Sequence, residues 1–96
     1  MKPSVALDLH REEIVRIIAS RHALNARAFG AVLHGADTEE SDLDILVDTT
    51  SRTLLFDLNA ISDALEALLG VPVDVLTPMS LSDDFREQVL SEAKPI

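Results

Sequence analysis

The sequence predicts an α/β fold of the α+β kind: a small mixed sheet of three strands or slightly more, packed with helices. Three observations predict it. Leu54, Leu58, Ile61, Leu65 and Leu68 form a stripe at helical spacing. That stripe lies between two short apolar runs, "DLDILVD" and "VPVDVLTP", which have the two-residue period of strands. A chain of 96 residues with 47% apolar content can bury one core, so residues 1–96 are expected to form one domain.

The elements follow in order. "SVALDLHREEIVRIIASRHAL" reads as one helix, with Ile14, Ile17, Ile18 and Leu24 on its apolar side. Ser4 and Asp8 are both good N-caps, and Asn25 is a stop signal. His10 and His22 are expected to be solvated or to face a partner. "ARAFGAVLHG" begins as a strand with Gly30 inside it. "ADTEES" is a polar connector or a single helical turn, and its acids Asp37, Glu39 and Glu40 are expected to be solvated. In "DLDILVD", Leu43, Ile45 and Val47 face one way, while Asp42, Asp44 and Leu46 face the other. Apart from its acids this run is apolar on both faces, as in a central strand covered twice. The leucine-rich helix ends at Gly70, and Pro72 forbids its continuation. "VPVDVLTP" is the third strand, with Asp74 in its middle. "SLSDDFREQVLSEA" closes as a helix from Ser80 or Ser82, with Phe85, Val89 and Leu90 expected inward.

Composition narrows the function. The net charge is −9, which repels phosphate and makes direct binding of a nucleic-acid polymer unexpected. The only aromatics are three Phe, so no Tyr or Trp platform exists for base stacking. Without cysteine there is neither a disulfide frame nor a thiolate metal site. No apolar run approaches the roughly 18 residues of a membrane span, and the N-terminus lacks a signal-peptide pattern. A cytoplasmic location with no membrane partner is therefore expected.

Three carboxylates stand out: Asp42, Asp44 and Asp74. Asp42 and Asp44 share a strand face, roughly 7 Å apart along the chain. If the second and third strands are neighbours, Asp74 joins them. Clustered carboxylates repel and push some of their pKa values up, and a divalent cation removes that cost. All-oxygen ligation suits magnesium or manganese. A D-x-D at a strand entrance is by itself often a solvated strand end, and a glycine by itself often only a turn. Here Gly30 and Gly35 are followed by Ser41, Asp42 and Asp44 in that order. A tight turn can present backbone N–H groups to phosphate oxygens. The aspartates can then hold metal against those phosphates, as in two-metal phosphoryl chemistry.

"GAVLHGADTEESDLDILVD" with "PVDVLTP" resembles the minimal nucleotidyltransferases, the MNT-domain members of the DNA polymerase β-like superfamily. Their hallmark is G-S-x-x-x-G, then [ST]-D-x-D, then a later strand carrying a third Asp. The resemblance covers essentially the whole chain and implies the polymerase β-like fold. It implies transfer of a nucleoside monophosphate, here AMP from ATP, to an acceptor hydroxyl, with magnesium. It also implies a role as antitoxin in a toxin–antitoxin pair. The partner would be a HEPN-domain toxin, adenylylated on a tyrosine. By this resemblance Gly30 and Gly35 frame the phosphate turn. Asp42 and Asp44 ligate metal. Asp74 is the third carboxylate, a metal ligand or the base for the acceptor. Ser41 caps or steadies the turn.

Two positions depart from the pattern. Ala31 stands where the family has the hallmark Ser, and His34 stands where a basic residue is common. A hydrogen bond to a charged group contributes roughly 1.5–3 kcal/mol, so the lost hydroxyl is expected to weaken binding or rate about ten- to a hundredfold. His34 can still donate to phosphate but lacks the permanent charge of arginine. The rival reading is thus a silent member of the fold that neutralises its partner by contact. A third is a stand-alone small-molecule nucleotidyltransferase.

Overall fold

In the computed structural model, which describes residues 1–96, four helices pack with one four-stranded mixed sheet. The elements are α1 (Pro3–Leu9), α2 (Arg11–Ser20), β1 (Ala23–Phe29), β2 (Leu43–Thr49), α3 (Leu55–Leu69), β3 (Val73–Leu76), α4 (Asp83–Glu92) and β4 (Lys94–Pro95), with 3₁₀ turns at Gly30–Val32 and Pro78–Ser80. The strand order is β3-β2-β1-β4. β1 runs antiparallel to β2 and β4, and β3 runs parallel to β2. The expected sheet is therefore present, enlarged by β4.

β2 is the central strand that its sequence announces. Leu43, Ile45 and Val47 are buried in the main core cluster with Ile14, Ile18, Ile61 and Leu65. Leu46, alternating with them, is fully buried outside that cluster. Each such side chain contributes roughly 1.5–3 kcal/mol by leaving water, which holds β2 firmly in register. α3 ends where expected: Gly70 adopts the left-handed conformation (φ 71°) and its N–H bonds to the Glu66 carbonyl. Its buried apolar positions are Ile61, Leu65 and Leu69, while Leu68 is only half-buried. Leu54 is not part of the apolar face, because it is the exposed residue that precedes the first turn. Asp57 closes that turn, its Oδ2 accepting from the Leu54 N–H at 2.9 Å.

The first helical segment divides in two. His10 has φ −126° and ψ 24°, outside helical values, so α1 stops at Leu9 and α2 restarts at Arg11. Neither Ser4 nor Asp8 is the N-cap. Lys2 holds that position, with Pro3 in the first turn, where its missing N–H costs nothing. α2 ends at Ser20, and Asn25 terminates no helix. It lies in β1 with φ 57°, where the register with β2 shifts between Leu24 and Arg27. Asp48 clamps this bulge, accepting from Asn25 Nδ2 at 2.8 Å and from Arg27 Nη2 at 2.7 Å. Leu24 is therefore an exposed strand residue rather than part of a helical stripe. Gly30 and Val32 belong to a 3₁₀ turn rather than to a strand.

α4 connects opposite edges of the sheet, from β3 to β4. It buries none of its residues, and Phe85 and Leu90 are exposed, against the inward facing expected of them. Three charge-assisted bonds anchor its start: Arg86 donates to the carbonyls of Pro78 (2.7 Å) and Leu81 (2.6 Å) and to Asp83 Oδ1 (2.6 Å). No helix is long and apolar enough to cross a membrane.

Candidate active site

The site forms where three segments distant in sequence meet at the entrance of β2. Asp44 pairs with Phe29 across the antiparallel ladder and with Asp74 across the parallel one. Paired residues of neighbouring strands project from the same sheet face, so Asp44 and Asp74 stand side by side. Asp42 lies just before β2 and is exposed, two residues from Asp44 and hence on the same side. The alternation read from sequence thus brings the three carboxylates together.

The environment of Asp44 is unusual for an acid. It is half-buried, and its pKa is pushed up to about 6 by burial first, then by the Asp74 and Asp42 charges. A carboxyl so placed favours whatever relieves its charge: a proton, or a cation. Without a bound ion, no three acidic or imidazole groups converge into a ready-made cation cage. The donor set nevertheless fits a hard cation, because it supplies only carboxylate oxygens and carries excess negative charge. Phosphate oxygens of a nucleotide would complete the coordination.

Immediately after Phe29 the chain turns at Gly30 (φ 77°). A Cβ there would stand 2.5 Å from Asp44 Oδ2. Only glycine lets the backbone pass this close to the carboxylate. Ala31, half-buried, follows in the turn. The turn's own hydrogen bonds use the N–H groups of Leu33, His34, Gly35 and Ala36, leaving those of Ala31 and Val32 out of them. Gly35 is also left-handed (φ 67°) but faces open space. His34 is exposed and pairs with Glu92 of α4 at 3.3 Å, so its ring is engaged away from the carboxylates. Ser41 lies at the other end of the loop. Its Oγ accepts from the Thr38 N–H at 2.8 Å, and its own N–H donates to the Thr38 carbonyl at 3.1 Å.

Two features had no clear signal in the sequence. Asp37 is buried rather than solvated, and its Oδ2 accepts from the Ser4 N–H at 2.9 Å. That bond caps α1 from the glycine loop and holds the Asp37 pKa below its ordinary value. The second feature is a groove of about 300 Å³ beside Asp74, between α3 and the end of β3. His10 and His22 take no part in the site. His10 bonds Glu13 at 2.9 Å, and the His22 carbonyl accepts from Thr50.

Comparison with known proteins identifies the family. The family described as "Nucleotidyltransferase domain" matches residues 11–96. The chain belongs to that family. It is 34% identical over 83 residues to a Methanocaldococcus jannaschii protein named "Putative protein adenylyltransferase MJ0435", covering 86% of this chain and 89% of that one. A solved structure described as "Structure of putative minimal nucleotidyltransferase" superposes with a TM-score of 0.87 at 40% identity, over 97% of this chain and 95% of that one. A second, "Crystal structure of the toxin-antitoxin with AMP-PNP", shares the fold: TM-score 0.74 at 21% identity, over 88% of this chain and 69% of that one. The chain thus has the mixed α/β nucleotidyltransferase fold expected of it.

Proposed function

We propose that this nucleotidyltransferase is a protein adenylyltransferase acting as an antitoxin, which transfers AMP from ATP to a tyrosine hydroxyl of a HEPN-domain toxin. The observation that carries the reading is the pairing of Asp44 with Asp74 beside the close turn at Gly30. It puts acidic oxygens next to backbone that can approach a phosphate. Asp42 and Asp44, with Asp74 available as a further ligand, would hold magnesium, which supplies charge neutralisation at the transferring phosphate.

The chain's own groups have distinct tasks. The turn from Gly30 to Gly35 orients the triphosphate through its backbone, since Ala31 offers no hydroxyl. Asp74, exposed on the edge strand, accepts the proton of the incoming hydroxyl. The hydroxyl oxygen bonds to the α-phosphorus, the bond from that phosphorus to the bridging oxygen breaks, and pyrophosphate leaves. The names borne by its relatives, a protein adenylyltransferase and a toxin–antitoxin complex with a nucleotide analogue, support a protein acceptor. The net charge of −9 suits docking beside a basic ribonuclease cleft.

The test is intact mass of the HEPN partner after incubation with the chain and magnesium–ATP. Transfer adds about 329 Da per AMP. Asp74→Asn should abolish that gain and leave the complex intact. Ala31 specifically favours a second reading, a binder that neutralises by contact. Neutralisation without a mass change, equally by Asp74→Asn, would establish it.

A further inference from the structure

We infer that the groove beside Asp74 is the docking site for the acceptor, and that it takes an extended, apolar-flanked polypeptide segment carrying the reactive hydroxyl. This rests on the adenylyltransferase reading above and deepens it. Three observations carry it.

The first is chemical. Leu55, Leu58, Val75 and Leu76 line the groove with small polar residues, and Asp74 is its sole charge. A triphosphate finds no cation there and is repelled by Asp74. The groove between α1 and β4, by contrast, carries Lys94 and an Arg11 paired with Asp8 at 2.8 Å. Leu55 at the rim is 74% exposed, and Met79, between the lining residues Thr77 and Ser80, is 82% exposed. Apolar side chains so open beside a carboxylate suit a neutral, apolar partner surface.

The second is the state of the sheet edge. β3 is an edge strand, and edges usually need cover. At Val73 the cover is built in. Its N–H donates to Glu66 Oε2 and its carbonyl accepts from Ser62 Oγ, both at 2.9 Å. The Leu43 N–H bonds to the Pro72 carbonyl, so the ladder alternation points the backbone N–H and C=O groups of Val73 and Val75 away from β2 and those of Asp74 toward it. No side chain bonds to the backbone of Val75, which lines the groove. An extended segment can pair there, as in strand addition.

The third is position. A residue set beside Asp74 in such a pairing projects from the same sheet face as Asp74 and Asp44. Its hydroxyl arrives where the proton can pass to Asp74 as the oxygen bonds to the α-phosphorus and pyrophosphate departs.

The probe is the peptide acetyl-Leu-Tyr-Leu-amide, with acetyl-Glu-Tyr-Glu-amide as control, added to the isotope-labelled chain with magnesium–ATP. Amide shifts and the mass of the peptide are both followed. The expected result is saturable shifts at Leu55, Leu58, Val75 and Thr77, at least about tenfold stronger binding of the apolar peptide, and a similar loss in Leu55→Asp, Met79→Asp. Both side chains are exposed, so the double variant should keep its fold and its magnesium–ATP affinity. Shifts confined to other elements, undiminished binding by the variant, or no binding at all would overturn the inference. ATP rather than peptide shifting the groove amides would do so as well. Peptide bound in the groove without AMP transfer would sustain the docking site and count against the adenylyltransferase reading alone.

Discussion

A side chain at Gly30 would have to displace the carboxylate of Asp44, whose Oδ2 lies 2.5 Å from the position of a Cβ there. The obstructing atom is the end of a side chain and can swing aside. Gly30→Ala should therefore fold, with a stability loss of about 1–2 kcal/mol from its left-handed backbone. The displaced Asp44 should cost far more in function, lowering magnesium–ATP affinity at least about tenfold. Gly35→Ala is the control. It has the same backbone hand but open space around it, so it should lose similar stability and keep most of its affinity. Calorimetry of magnesium–ATP binding beside denaturant melts separates the two.

The pH response of Asp44 has a definite sign. Its folded pKa, about 6, lies above the ordinary 3.8. Between those values the folded chain holds a proton that the unfolded chain has released. The stabilising contribution is complete below pH 3.8 and lost as pH rises through about 6. Without nucleotide, Asp44→Asn should match wild type near pH 4 and exceed it at pH 7 by roughly 2–5 °C in Tm, a modest gap because water screens a half-exposed group. Thermal melts at pH 4, 5, 6 and 7 read it directly, and an unchanging gap would mean that Asp44 is not perturbed.

Asp37 should behave in the opposite way. The Ser4 N–H holds its pKa below the ordinary value. Its contribution is therefore present above about pH 3.8 and lost as pH falls through the lower folded value. Asp37→Ala should lower Tm at pH 7 and increase hydrogen exchange at the start of α1. The difference from wild type should shrink under strong acid. A variant with unaltered exchange there would show that the cap contributes nothing.

Ala31→Ser restores a hydroxyl to the turn. We expect magnesium–ATP affinity or transfer rate to rise by several-fold or more, within the roughly 1.5–3 kcal/mol of one charged hydrogen bond. Equal affinity and rate in a folded variant would show that the backbone alone handles phosphate.

The parts of the fold that were legible in sequence are those where one signal acts locally. Gly70 and Pro72 mark the end of α3, and the alternation of β2 marks a strand buried on both faces. The candidate carboxylates Asp42, Asp44 and Asp74 were legible too, but that Asp74 joins the pair depended on β2 and β3 being neighbours, which strand period does not fix and the sheet order supplies. What failed was decided by tertiary contacts. The break at His10 has neither proline nor glycine to announce it. Asn25 resembles a helix stop because the left-handed conformation that serves there also serves a strand bulge. Asp37 looked solvated because its partner, Ser4, lies 33 positions away. Phe85 and Leu90 looked buried because helical spacing does not say whether anything lies opposite.

The central place of β2 has a kinetic consequence. Its neighbours are a strand that precedes it by a long loop and one that follows it after a whole helix. Loop closure must therefore be completed twice, at growing sequence separation, before Gly30, Asp44 and Asp74 meet. A fragment ending before β3 would keep Gly30 beside Asp44 but lack Asp74, so on refolding the complete carboxylate set should return only when β3 has docked on β2.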